Sequence, residues 1–133
     1  MKENFVVEII SPDKSILKSE TTEVTIPSYE GEMGILKDHI PLITFLRPGL
    51  ITIKSSNEDK IFFAEEGTIE FINNNLLILS STVMALEQLE KNYIDKILES
   101  SQEKIINNNI GDKEKYLLSY KIETLKEINQ QNF

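Results

Sequence analysis

The spacing of hydrophobic residues changes once along this chain, near Thr82, and that change limits the folds that the chain can adopt. Before Thr82 the apolar residues alternate with polar ones in short stretches such as 5–9, 51–53 and 69–71. Alternation at every second position gives a β-strand one apolar face. Clusters of Ser, Asn, Asp, Pro and Gly separate the stretches and favour turns. Many short strands with this spacing predict a β-sandwich or barrel.

After Thr82 the apolar residues recur at steps of three and four, which is the spacing of an amphipathic helix. They are Leu86, Leu89, Tyr93, Ile97, Leu98, Ile105 and Ile106. The Asn-rich stretch 107–111 interrupts this pattern, and Asp112 is expected to accept hydrogen bonds from the free N–H groups of a second helix. The apolar stripe of that helix consists of Leu118, Ile122, Leu125 and Ile128.

The prediction is an α+β fold, mainly β, with an N-terminal β-sandwich at 1–82 and a linker plus C-terminal antiparallel α-helical hairpin at 83–133. A break of about five residues suits antiparallel helices. Two helices of this length are marginal in water, so the hairpin must dock on the sandwich or on another protein. One apolar stripe could serve either docking partner, so the sequence leaves folded and extended hairpins open.

The chain is acidic and contains no cysteine, which excludes several classes of function. Its 22 acidic residues outnumber its 14 basic ones, for a formal charge of -8, so phosphate backbones and anionic lipids would be repelled. Without cysteine there is no thiolate metal site and no cysteine nucleophile. The longest uncharged run, 71–86, contains Asn, Ser and Thr and cannot serve as an apolar membrane span. We expect no nucleic-acid partner and no direct membrane insertion.

No catalytic signature is present, since the phosphate-binding loop, the dinucleotide-binding glycine motif, the zinc-protease motif and the nucleophile elbow are all missing. His39 is the only histidine, so no His-rich metal site exists and a Ser-His-Asp triad would have to be built around it. We interpret His39 as structural or interfacial, with a hydrolase as the enzyme alternative. The pairs Glu30/Glu32 and Glu65/Glu66 are interpreted as solvated carboxylates at turns. We predict no catalytic residue and no metal site.

Three motifs follow one another in the first half of the chain: 30–34 (Glu-Gly-Glu-Met-Gly), 39–42 (His-Ile-Pro-Leu) and 48–49 (Pro-Gly). In this order and spacing they resemble the epsilon subunit of F-type ATP synthases of the bacterial or chloroplast type. A single Glu-Gly or Pro-Gly would carry no information, but three motifs in register are specific. The resemblance is close over 22–80 and rests on pattern alone over 87–133.

The resemblance implies a non-catalytic rotor subunit of the central stalk in a proton- or sodium-translocating F-type ATP synthase. It implies that the sandwich couples the gamma subunit to the membrane-embedded c-ring, with some apolar strand residues covering gamma. It also makes the hairpin a regulatory candidate, which would inhibit ATP hydrolysis by extending along gamma toward the alpha and beta subunits. We expect a peripheral position on the cytoplasmic side of a bacterial inner membrane, with the stromal side of a thylakoid membrane as the second choice.

By the same resemblance, the loop around 30–34, together with nearby His39, faces the polar loops of the c-ring. The residues implied at this interface are Glu30, Gly31, Glu32, Met33 and His39. Gly34, Pro48 and Gly49 are interpreted as structural turn residues, because glycine permits backbone conformations closed to other residues and Pro-Gly presets a turn. The alternative for each glycine of the signature is that it forms a turn and has no interface role.

Some members of this family bind ATP through a motif of the form Ile/Leu-Asp-x-x-Arg-Ala at the start of the first helix, supported by arginines farther on. The matching residues here are Leu89, Glu90, Tyr93 and Ile94, so the aspartate, the arginine and the alanine are all replaced. The only arginine, Arg47, precedes the hairpin, and lysine lacks the planar fork that binds phosphate. We therefore expect weak or no ATP binding and no cofactor.

The competing interpretation is an unrelated β-sandwich protein-binding module with a helical oligomerisation tail. A generic sandwich has no reason to carry three turn motifs in register. The two interpretations differ in the proteins that would co-purify with the chain, because only the rotor interpretation requires gamma and the c-ring.

Overall fold

A computed structural model describes residues 3–107 and 109–131 of the chain. Asn108, within the predicted break at 107–111, lies outside the described residues, and so do the outer ends of the two predicted units at 1–2 and 132–133. Within the described ranges, β-strands fill the chain as far as Ala85 and two helices follow. The predicted class, a mainly β unit followed by a helical hairpin, is confirmed.

The strands have the following bounds: β1 (Phe5–Ile10), β2 (Ser15–Thr21), β3 (Glu23–Ser28), β4 (Gly31–Leu36), β5 (Leu42–Leu46), β6 (Gly49–Ile53), β7 (Lys60–Ala64), β8 (Gly67–Ile72), β9 (Asn75–Leu79) and β10 (Met84–Ala85). The helices are α1 (Lys91–Ile106) and α2 (Asp112–Gln131). A short 3₁₀ turn at Leu86–Gln88 precedes α1.

The strands form two layers that are joined through β3. Strands β4, β3, β6, β7 and β10 form what we call the helix-side sheet, and β5, β8, β9, β1 and β2 form what we call the open sheet. Strand β1 pairs antiparallel with β2 and parallel with β9. The pair of Ser28 and Leu46 links β3 to β5 where the two layers meet. The result is a sandwich with the character of a half-barrel, as the alternating spacing predicts.

The core lies between the two sheets and is built from the inward positions of each strand. In β1 the residues at positions 5, 7 and 9 are buried, whereas their neighbours are partly exposed. Ile26 of the helix-side sheet belongs to the same buried cluster as Ile69 and Phe71 of the open sheet. Phe5 packs edge-to-face on Phe71, with ring centroids 5.6 Å apart. Because burial of each large apolar side chain contributes about 1.5–3 kcal/mol, the alternation that predicts the strands also stabilises them.

The two helices pack against each other and against the outer face of the helix-side sheet. A second buried cluster, which we call the helix-side cluster, joins Phe63 of β7 to Ile94 of α1 and to Leu125 and Ile128 of α2. The hairpin is therefore docked on the sandwich, which meets the requirement that two helices of this length lean on a partner. Most of its apolar stripe is buried or half-buried, but Tyr93 and Ile106 of the predicted stripe are exposed. Neither of the described helices combines the length and the apolar character that a membrane-spanning helix requires.

The first helix begins later than the hydrophobic spacing predicts. Met84–Ala85 forms β10, which pairs with β7, and α1 starts only at Lys91. Leu86 still reaches the helix-side cluster from the 3₁₀ turn, because a 3₁₀ turn also repeats every three residues. The predicted boundary at residue 82 thus precedes a strand of the helix-side sheet, and the division into 1–82 and 83–133 stays a prediction.

One of the predicted turn residues, Gly34, lies in the middle of a strand. Gly31 follows a two-residue turn and has a φ of 124°, a backbone conformation that strains residues with a side chain. Gly34 lies inside β4, opposite Thr25, so the prediction that it forms a turn is wrong. A glycine at an exposed strand position needs no special backbone conformation, and its presence therefore does not by itself locate a turn.

Pro48 and Gly49 connect the open sheet to the helix-side sheet. Pro48 occupies the bend between β5 and β6, and Gly49 is the first residue of β6. A Cβ atom added to Gly49 would lie 2.5 Å from the Cβ atom of Pro27 on the neighbouring strand β3. Close packing of two strands, and not a left-handed backbone, is therefore what requires glycine at this position.

Replacing Gly49 by alanine should destabilise the sandwich, because the added methyl group would overlap Pro27. We expect Gly49→Ala to lower the free energy of unfolding by about 2 kcal/mol, as overpacked cores do. Gly34→Ala is the matched control, since its Cβ atom would meet only the Glu23 carboxylate at 3.6 Å. That variant should change the unfolding free energy by less than about 0.5 kcal/mol. Urea unfolding measures both, and equal losses would contradict the packing argument.

Candidate functional site

The turn between β3 and β4, together with the start of β4, carries four of the five residues that the resemblance implies at the c-ring. Ser28 closes this turn, because its Oγ donates a hydrogen bond to the carbonyl oxygen of Gly31 at 2.7 Å. Glu30 and Glu32 are exposed, whereas Met33 is half-buried and packs against the core. The turn therefore offers two carboxylates to solvent at one end of the sandwich, with Met33 as its anchor.

The Glu30 carboxylate is held in place by Thr44 of β5. The Thr44 hydroxyl lies 2.8 Å from one carboxylate oxygen of Glu30 and 3.0 Å from the other. This hydrogen bond, followed by one from the backbone of Glu30 itself, lowers the pKa of Glu30 below its ordinary value of 4.5. Glu30 is therefore negatively charged at neutral pH, and its carboxylate keeps a fixed position relative to the open sheet.

His39 lies at the opposite end of the sandwich from Glu32. Glu32 is the second residue of β4, the strand runs four further residues to Leu36, or roughly 13 Å, and His39 follows after a turn. The His39 ring packs edge-to-face on Phe71, with centroids 5.9 Å apart, and its Nδ1 lies 2.8 Å from the carbonyl oxygen of Ile40. The prediction that His39 is near Glu32 is therefore wrong, because the residues between them form an extended strand instead of a loop.

The loops around His39 are fixed by polar contacts. The Asp38 N–H donates a hydrogen bond to Oδ1 of Asn74 at 2.7 Å, and Nδ2 of Asn74 donates to Oδ1 of Asp38 at 3.0 Å. Within residues 3–107 and 109–131, no hydroxyl or carboxylate hydrogen-bonds to the His39 ring, and no cluster of His, Asp and Glu could hold a metal ion. These contacts give His39 the surroundings of a structural or interfacial residue.

The outer face of the open sheet carries large exposed apolar side chains. Ile43 is 77% exposed, Phe45 56% and Leu79 43%. Phe45 and Leu79 flank Thr68 on adjacent strands, so these side chains lie side by side. We call Ile43, Phe45 and Leu79 the open face. Sequence reasoning did not identify it, although β5 carries a signal, because its residues Leu-Ile-Thr-Phe-Leu are apolar at both alternating positions, as in a strand covered on both faces.

An aromatic cluster joins α2 to the sandwich beside the open face. The guanidinium carbon of Arg47 lies 3.8 Å from the centre of the Tyr120 ring, a cation–π contact. The Tyr116 hydroxyl donates a hydrogen bond to the carbonyl oxygen of Tyr29 at 3.2 Å. The Tyr29 ring lies 6.1 Å from the ring of Phe45, measured between centroids. We call Tyr29, Phe45, Arg47, Tyr116 and Tyr120 the aromatic cluster.

An ion pair reinforces the same attachment of α2. Nζ of Lys121 lies 2.7 Å from Oε1 of Glu65, and the two side chains are only 18% and 32% exposed, so solvent screens this pair less than a fully exposed one.

Desolvation, followed by the neighbouring Tyr120, raises the pKa of Tyr116 above its ordinary value of 10.0. The Tyr116 hydroxyl therefore stays protonated and able to donate its hydrogen bond across the physiological pH range.

The residues at the degenerate nucleotide motif do not fit a nucleotide. Leu89 packs against the helix-side cluster, and Glu90, just before α1, exposes a carboxylate. Tyr93, at the position of the motif's arginine, is 45% exposed. Lys91 pairs with Asp95 at 3.7 Å. At the position of Tyr93 a triphosphate would meet an uncharged phenol instead of a guanidinium group, and the expected weak or absent ATP binding stays a prediction.

The solved structures that share this fold include two chains of mitochondrial ATP synthases. A chain of the Euglena gracilis mitochondrial ATP synthase, in a structure of OSCP, F1 and the c-ring, has a TM-score of 0.76 at 19% identity and covers 98% of this chain and 82% of its own length. A chain from the central stalk and c-ring of the Tetrahymena thermophila mitochondrial ATP synthase has a TM-score of 0.61 at 16% identity and covers 96% of both chains. At these identities the likeness shows the fold.

The sequence comparisons show the family. Residues 4–85 match the family described as the β-sandwich domain of the ATP synthase delta/epsilon chain. The ATP synthase epsilon chain of Pelagibacter ubique is 45% identical over 130 residues, which cover 97% of this chain and 100% of that relative. The epsilon chain of Dichelobacter nodosus is 33% identical over 84% of this chain and 78% of its own. The predicted resemblance is confirmed, and the chain belongs to the family of ATP synthase epsilon chains.

Proposed function

We propose that this chain is a non-catalytic rotor subunit of the central stalk, which couples the gamma subunit to the c-ring of an F-type ATP synthase. The observation that carries the proposal is the asymmetry of the sandwich. Its own helices cover the outer face of one sheet, whereas the open face of the other sheet exposes large apolar side chains. In a member of the epsilon-chain family, an uncovered apolar face of this kind is a surface for a partner within the complex.

The gamma subunit is the partner that we assign to the open face. Ile43 and Phe45 project from β5, while Thr44 and Leu46 between and beside them are buried in the sandwich. The exposed side chains are thus held on a rigid sheet. A shallow groove next to Phe45 is lined by Ile10, Leu79 and other residues at the same end of the sandwich. Apolar anchors beside a groove, on a fixed backbone, suit the buried centre of a lasting interface.

The end of the sandwich that we assign to the c-ring consists of the β3–β4 turn with Glu30 and the start of β4 with Gly31, Glu32 and Met33. Its two exposed carboxylates suit contacts with polar loops, and Thr44 preorganises one of them. His39 lies at the other end, just before β5, and we assign it to the margin of the gamma contact instead of the c-ring.

The chain reaches the membrane through these partners and is a peripheral subunit of the complex. We assign it to the cytoplasmic side of a bacterial inner membrane. The support for this assignment is that the similar epsilon chains of Pelagibacter ubique and Dichelobacter nodosus come from bacteria.

A second role, inhibition of ATP hydrolysis, depends on the hairpin leaving its docked position. In the docked hairpin the apolar stripe is buried against Phe63 and its neighbours, so it is not free to bind the alpha or beta subunits. An extended hairpin would have to break the Lys121–Glu65 ion pair and the contact between Arg47 and Tyr120. We therefore assign inhibition to an undocked state that competes with the docked one.

Replacing Phe45 by serine should weaken the binding of gamma, because the exposed ring would be buried at the interface. We expect the Kd to rise about 30-fold, which corresponds to an anchor residue worth about 2 kcal/mol. Calorimetry with purified gamma measures the change. Leu36→Ser is the matched control, since Leu36 is 55% exposed but belongs to the helix-side sheet. Equal binding by the wild-type and Phe45→Ser chains would rule out the open face as the gamma site.

Removing the Thr44 hydroxyl should raise the pKa of Glu30 toward 4.5, because the hydrogen bond that lowers it is lost. Since the folded pKa of Glu30 lies below its unfolded value, this bond stabilises the wild type above pH 4.5 and ceases to do so as the pH falls through the folded pKa. The expected result for Thr44→Val is therefore a higher Glu30 pKa by NMR titration and a stability deficit that shrinks in acid.

Thr68→Val serves as the control for this titration, because Thr68 is exposed on the neighbouring strand β8. It should leave the pKa of Glu30 as it is in the wild type. If Thr44→Val also left that pKa unchanged, Thr44 would not be the group that holds the carboxylate.

Deleting the hairpin should raise the ATP hydrolysis rate of the assembled complex, because inhibition is assigned to the undocked hairpin and a chain without the hairpin cannot form that state. A chain that ends at Gln88 keeps all the strands and the 3₁₀ turn. We expect severalfold faster hydrolysis with this chain than with the full-length one, in reconstituted complexes that contain equal amounts of each. Equal rates would exclude the inhibitory role and leave the rotor role untouched.

A further inference from the structure

Tyr29 contacts the open face and the C-terminal helix at the same time. Its ring centroid lies 6.1 Å from that of Phe45 and 6.3 Å from that of Tyr116. The backbone of Tyr29 also forms hydrogen bonds with both Phe45 and Tyr116. The Tyr29 N–H donates a hydrogen bond to the carbonyl oxygen of Phe45 at 3.1 Å, and its own carbonyl oxygen accepts the bond from the Tyr116 hydroxyl at 3.2 Å.

From these contacts we propose that binding of gamma to the open face and docking of the helical hairpin favour each other, with Tyr29 as the residue that links them. The inference rests on the proposed function, because it requires gamma to lie on the open face. It adds a coupling between two surfaces that are on different parts of the chain.

The sign of the coupling follows from the exposure of the contacts. Phe45 is 56% exposed and Tyr116 is 39% exposed in the free chain, so water competes for the hydrogen bond between Tyr116 and Tyr29. A partner that covers Phe45 removes water from the neighbouring rings and restricts Tyr29. Because hydrogen bonds are stronger where the local dielectric is low, the bound partner stabilises the docked position of α2.

Thermodynamic linkage requires the reverse effect with the same magnitude. The docked α2 holds Tyr29 in the position that packs against Phe45, so less conformational freedom is lost when gamma binds. When the hairpin undocks, Tyr29 loses both its ring contact and its hydrogen bond to Tyr116. Release of the hairpin should therefore weaken the hold of the sandwich on gamma.

Arg47 extends the link to the next turn of α2. Its backbone N–H donates a hydrogen bond to the carbonyl oxygen of Pro27 at 3.0 Å, on the same strand that leads into Tyr29. Its guanidinium group covers the Tyr120 ring, which contacts the Tyr116 ring at a centroid distance of 4.9 Å. Tyr120 lies one helical turn after Tyr116 on α2, so replacing it removes a second contact that holds the docked helix.

Two substitutions in the full-length chain test the coupling. Tyr116→Phe removes the hydroxyl that bonds to Tyr29 and keeps the ring, and Tyr120→Leu removes the ring that Arg47 covers. Each should raise the Kd for purified gamma about fivefold and speed hydrogen exchange of the α2 amides in the free chain by a similar factor. Tyr93→Phe is the matched control, because Tyr93 is an exposed tyrosine outside the aromatic cluster, and it should change neither quantity.

The wild-type chain provides a further measurement. Addition of gamma should slow exchange of the α2 amides about fivefold, and Tyr116→Phe should reduce this slowing. The proposal is overturned if a variant speeds α2 exchange but binds gamma as the wild type does, or if neither variant changes α2 exchange. Weaker binding in Tyr116→Phe alone would indicate direct contact with gamma and also overturn it. Failure of the wild-type chain to bind gamma would contradict the proposed function instead.

Discussion

The structure depends on how the two outer faces of the sandwich are covered. Strand β7 belongs to one sheet and β5 to the other, and each of them has apolar side chains on its inner face and on its outer face. On the helix-side sheet, Phe63 is buried against Ile94 and Leu125, so the chain covers that face with its own helices. On the open sheet, Phe45 stays exposed in the described part of the chain. A domain that leaves a large apolar face uncovered is suited to a larger assembly, because association buries that face.

The contacts that attach the hairpin to the sandwich differ between the first and the second half of α2. Its second half is held by apolar burial of Leu125 and Ile128. In its first half one apolar residue, Leu118, is buried. The remaining attachments there are the Lys121–Glu65 pair and the contacts of the aromatic cluster, which are partly exposed and individually worth little. The first half should therefore open at a lower cost than the second. This weaker half is the one beside the open face, so partner binding acts where docking is most easily altered.

Sequence periodicity predicts the sandwich and the hairpin, and three motifs carry the resemblance to the family. It does not predict distances in space. Glu32 and His39 are close in sequence, but an extended strand carries them to opposite ends of the sandwich, and Gly34 lies within that strand. The open face could have been inferred from β5, which is apolar at both alternating positions. The contact of Arg47 with Tyr120 depends on the angle at which α2 docks, and no local pattern encodes that angle.

Two positive charges lie where α2 is attached to the sandwich, and both are engaged in that attachment. Arg47, the only arginine, covers Tyr120, and Lys121 is paired with Glu65. Both cations are therefore engaged in holding the hairpin to the sandwich, and neither is free to bind a triphosphate. A nucleotide would have to compete with these contacts, whereas a partner on the open face would reinforce them through Tyr29. Docking of the hairpin should accordingly respond to the assembly state of the stalk more than to the concentration of ATP.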